Sequence, residues 1–171
     1  MRERGSRLVA PIGLVIGAVF GMAGTFVTSD SLRALLWGID GTALIIATAL
    51  LTTHHLRRGN DVAAAGFLVF VAGETLILCT AAMDLVASSP VFAAGVSLWA
   101  ASLAIVSVPK LMPLWIRAVS AIAALLFAAV ATQVFMGHAL TPLSQPLPFF
   151  AYPFLAAALL GWAWAHYRSV V

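Results

Sequence analysis

Two carboxylates stand inside otherwise apolar runs. Asp40 interrupts LWGIDGTALII, and Glu74 interrupts FLVFVAGETLILCTA, where no other formally charged residue lies within seven positions on either side. An acid in hydrocarbon is costly, and as a rule it faces a bundle interior and marks a proton path, an ion path or the counter-charge to a ligand. Two acids without a basic partner at their depth attract positive charge, so a proton or a cation is the species they would handle. Gln133 and Tyr152 fall at comparable depth and complete a candidate ion- or ligand-binding set of Asp40, Glu74, Gln133 and Tyr152. Arg33 lies seven residues before Asp40, on the same helical face. It is expected to favour an ionised Asp40, leaving Glu74 as the protonated member of the pair. The plainer alternative is that a neutral Glu74 hydrogen-bonds to a neighbouring backbone and only fixes packing.

The histidines are the second chemical lead. His54 and His55 end one apolar run beside Arg57 and Arg58, and His166 ends the last run. His166 with one of the others would suit a haem or a metal. However, adjacent helical residues point about 100° apart, and the plainer reading puts all three at the interface with water and headgroups. No metal site and no cofactor are assigned. The single cysteine, Cys79, excludes an intramolecular disulfide and reads as a small buried hydrophobe. HExxH, GxSxG and phosphate-loop motifs are absent. In GIDG, Ile39 occupies the place where intramembrane aspartyl proteases carry a glycine directly before the aspartate. Nothing in the chain signals an enzyme.

The elements that must position these groups follow from composition. The chain has 171 residues, 63% hydrophobic and 9% charged, with a mean hydropathy of +1.06. A soluble domain is about 45–50% apolar and about 25% charged, so the solvent here is lipid. A net charge of +3 does not signal nucleic acid, because the nine basic residues are scattered in ones and twos. Crossing a bilayer takes about 20 apolar residues, and six segments qualify, at 8–28, 32–53, 62–84, 91–109, 114–136 and 147–166. The expected fold is therefore an all-α integral membrane protein, a single transmembrane domain over 1–171. With six spans, eight basic residues share the side of both termini and only Arg33 lies on the other. The positive-inside rule then makes both termini cytoplasmic. The alanine-rich, arginine-over-lysine composition suggests a bacterial inner membrane.

Threaded in this way, Asp40 and Glu74 lie about 10 Å and about 15 Å from the outer ends of neighbouring spans. Both occupy the outer half of the bilayer. Gly13, Gly17 and Gly21 fall on one helix face and allow another backbone to approach closely. Their partner is either a helix of the same bundle or another subunit, in a homo-oligomer or with a second membrane protein.

Three functions are thus in view. The first is a transport or ligand-binding protein with an outward-facing acidic pocket. The second is a non-catalytic interaction or assembly subunit packing through the glycine face. The third is a haem-bearing redox protein. A cavity reaching the acids favours the first, and a dry, filled bundle favours the second.

Overall fold

A computed structural model describes residues 2–168, with side chains from Leu8 onward. Its elements are α1 (Arg2–Phe26), α2 (Asp30–Leu56), α3 (Asp61–Thr80), α4 (Ser89–Ser107), α5 (Leu114–Phe135), a 3-10 turn (Phe149–Ala151) and α6 (Tyr152–Arg168). All six helices are long and apolar enough to cross a membrane. The principal contacts join consecutive helices, and α6 closes on α1. The result is a ring of six antiparallel helices. The end holding the loops after α1, α3 and α5 is here called distal, and the end holding both termini proximal.

Local chemistry moves some expected boundaries. Helix α2 begins at Asp30 because the Ser29 hydroxyl accepts a hydrogen bond from the Leu32 amide at 3.4 Å, an N-cap interaction. Helix α3 stops at Thr80, four residues before the expected end. There the Asp84 carboxylate accepts from the amides of Val86 and Ala87 at 3.0 and 2.9 Å, a local turn that competes with helix. Helix α4 then starts early, with Pro90 in its first turn, where a missing N–H costs nothing. Its far end is capped by Arg117, which donates to the carbonyls of Ser107 and Val108 at 2.6 and 3.1 Å.

The interior of the ring is filled from its proximal end by interlocking aromatic side chains. Phe67 meets Trp162 edge-on at 5.1 Å, Trp162 meets Phe70 at 5.8 Å, and Phe70 stacks on Trp99 at 5.9 Å. Trp99 in turn packs against Phe127 at 5.4 Å, and Phe127 against Tyr152 at 5.8 Å. This ladder leads up to the level of the acids.

The glycine face of α1 packs on α2 of the same chain. A Cβ at Gly13 would sit 2.9 Å from the Cβ of Ala47, and one at Gly17 would collide with Leu44. Glycine at these positions lets two backbones meet, and the face is consequently occupied within the bundle. Cys79, expected to be buried, lies instead on the exposed outer face of α3.

Candidate functional site

The same glycine face shapes the surroundings of Asp40. A Cβ at Gly21 would stand 2.6 Å from Asp40 Oδ2, and one at Gly17 would stand 3.1 Å from Oδ1. The carboxyl of α2 therefore rests in a furrow of α1 that only glycine leaves open. Across the other side of α2, Glu74 reaches over from α3, its Oε1 3.2 Å from where a Cβ of Gly41 would be. The two carboxyls are close enough to act on each other electrostatically, and the Tyr152 hydroxyl lies in the field of both. Glu74 is 1% exposed, and its Oε2, like Asp40 Oδ1, is buried without a hydrogen-bond partner.

Asp40, Tyr152, Trp37 and Trp99 line a cavity of about 50 Å³ that extends from the level of Leu44 up to Thr25 and to Pro142 of the loop before α6. Glu74 sits just behind this wall. The lining contains no lysine, arginine or histidine. The indole of Trp99 bears on Glu74, yet its Nε1 meets no acceptor at hydrogen-bonding geometry. A water takes about 30 Å³ of liquid volume, so the space suits one or two waters or a small ion.

Three of the four expected site residues converge here. Gln133 is half-buried on α5 and stands outside the cavity wall. Its depth matches, but depth alone does not choose a helix face. Arg33 does not serve Asp40 either. It pairs with Asp30 three residues before it and donates to the Val27 carbonyl at 2.7 Å. The expected asymmetry, an ionised Asp40 helped by Arg33, therefore loses its physical basis. The relative depths are also reversed. Because α3 ends at Thr80 and α2 begins at Asp30, Glu74 lies six residues from its helix end and Asp40 ten. Thr25, Thr80 and Trp99 also line the cavity, although in sequence they are ordinary span residues, and Trp37 joins them from the helical face it shares with Asp40.

At the proximal end two of the three histidines are buried rather than interfacial as expected. His55 and His166 are 5% and 7% exposed, and their Nε2 atoms are 3.0 Å apart. The Trp162 carbonyl lies 2.7 Å from His166 Nδ1 and can only accept, so that nitrogen carries a proton. In a neutral ring, His166 Nε2 is then an acceptor, and His55 donates to it. Helices α2 and α6 are thereby tied at the proximal end of the ring. His54 packs edge-on against both rings, at 5.3 and 6.0 Å. Two metal–imidazole bonds of about 2.0–2.1 Å in axial geometry would hold the nitrogens about 4 Å apart, so the pair is built as a hydrogen bond. Among the described residues, no cluster of three or more ligating side chains forms a metal site.

Compared with known proteins, the chain matches no family model, no curated protein and no solved structure.

Proposed function

We propose that this is a small multi-pass transport or ligand-binding protein, with a cation or proton held in the distal acidic cavity. One observation carries the reading. Asp40 lines a cavity without basic residues, Glu74 from a second helix stands just behind its wall, and each acid keeps a carboxyl oxygen without a hydrogen-bond partner. An uncompensated buried acid costs stability, and it is retained where it has a charge to meet. The eight-to-one distribution of basic residues supports cytoplasmic termini, so the cavity would open outward. Composition favours a bacterial inner membrane as its location.

Proteoliposomes test the transport reading. Wild-type vesicles should dissipate an imposed proton or small-cation gradient faster than empty ones, and Asp40→Asn should return the rate to the empty-vesicle level. Equal rates for wild-type and empty vesicles would overturn transport, and equal rates for wild-type and Asp40→Asn would remove the cavity from it. Orientation has its own check. A cysteine at exposed Gln145, in a Cys79→Ser background, should react with an impermeant thiol reagent on intact cells. Labelling only after lysis would reverse the topology.

A further inference from the structure

The chemistry of the cavity narrows the species it would take. Its threonines have already used their protons: Thr25 Oγ1 donates to the Met22 carbonyl and Thr80 Oγ1 to the Ile77 carbonyl, each at 2.7 Å. Each hydroxyl keeps acceptor lone pairs only. The Trp37 N–H is turned to the Gly21 carbonyl at 3.4 Å. Asp40 Oδ1, together with Glu74 Oε2 behind the wall, lacks any donor. The polar part of the site is thus rich in acceptors, and its donors are the Tyr152 hydroxyl and the Trp99 N–H, which meets no acceptor. The remaining wall consists largely of rings and aliphatic carbons, with Trp37, Trp99, Phe92 and Tyr152 all in the lining.

A bare metal ion is poorly served by such a wall, because hard cations ask for oxygens on all sides. A cation that carries its own N–H donors is well served. It can direct some of them at the carboxylate and threonine oxygens, and its charge is attracted by aromatic rings. The small volume, about 50 Å³, favours the smallest such cations. Resting on the cation reading above, we infer that the distal cavity is a binding site for ammonium or a primary ammonium as small as methylammonium, in preference to alkali-metal ions. Asp40 supplies the counter-charge, Thr25 and Thr80 accept hydrogen bonds, and Glu74 provides a second carboxyl behind the wall.

The test uses the full chain in lipid nanodiscs near neutral pH, read by tryptophan fluorescence, since Trp37 and Trp99 are in the wall. Exchanging sodium chloride for ammonium or methylammonium chloride at constant ionic strength should give a saturable change, and exchanging it for potassium chloride should give none. Asp40→Asn keeps the side-chain shape and should weaken the apparent affinity at least about tenfold, the range for a hydrogen bond to a charged group. Thr80→Val, nearly isosteric and without change of charge, should weaken it about two- to tenfold. It guards against the case in which Asp40→Asn does not fold. A sodium or potassium response against N-methylglucamine, lost in Asp40→Asn and at least as strong as the ammonium response, would overturn this inference and leave the cation reading standing. An ammonium response undiminished in either variant would also overturn it. No response to any of these cations or to protons would sink both.

Discussion

The two ends of the helical ring hold buried polar groups in opposite ways. At the proximal end, His55, His166 and the Trp162 carbonyl form a chain of hydrogen bonds on an aromatic floor, with His55 Nδ1 alone left without a partner. At the distal end, Asp40 and Glu74 keep oxygens with no donor, beside a small cavity. Burying an unpaired polar group costs about 1–3 kcal/mol from mutational data. The proximal arrangement avoids most of that cost and reads as structure. The distal one incurs it, and the proposed ligand would offset it.

Mutations can break or sharpen this contrast. The largest expected effect comes from the seam that both ends share. Gly17→Leu drives a side chain into Leu44 and the Asp40 carboxyl. Overpacking typically costs about 1–3 kcal/mol and occasionally more, so the melting temperature should fall and ligand response should vanish together. A normal melt would mean that α1 and α2 do not meet as described.

Next comes His166→Leu, which leaves the His55 N–H buried without its acceptor, at a cost of about 1–3 kcal/mol. Replacing both partners, as His55→Phe with His166→Leu, should recover much of that loss, because no orphan remains. Chemical unfolding in one detergent would measure both variants. Additive losses would show that the pair is not coupled.

A smaller loss, about 1 kcal/mol, is expected for Ser89→Ala. It removes the hydroxyl that donates to the Leu140 carbonyl at 2.8 Å and ties the long loop before α6 to α4. An unchanged melt would leave that loop held by its other contacts.

The smallest stability effect should be at Glu74. From sequence, Glu74→Leu is expected to strand a former acceptor. In the structure Oε2 has no partner to strand, so the leucine variant should unfold within about 1 kcal/mol of wild type, or be more stable, while losing ligand response. A loss as large as that of His166→Leu would erase the difference between the two ends.

The parts legible in sequence were those with strong local signals. Six apolar runs define six helices, and a charge inside such a run identifies Asp40 and Glu74 wherever the helix ends fall. The spacing of Gly13, Gly17 and Gly21 declares a packing face, but only the fold says that α2 fills it. Arg33 turns away from Asp40 because Asp30, one turn away and at the helix start, competes for it more closely. Gln133 matches the acids in depth, but rotation of α5 about its own axis is not written in depth. The histidine bond joins residues 111 apart in sequence, and no local pattern predicts such a meeting. Thr25 and Thr80 become informative only when their hydroxyl protons are seen to be committed to their own helices.

The central claim is that the distal carboxyls meet a cation directly. Infrared difference spectra of the nanodisc-embedded protein, recorded with and without ammonium, test it with the fewest assumptions. Wild type should show a change in the carboxyl region that disappears in Asp40→Asn and is altered in Glu74→Gln. A spectrum flat in the carboxyl region at saturating ammonium, or one that persists unchanged in both variants, would contradict the account.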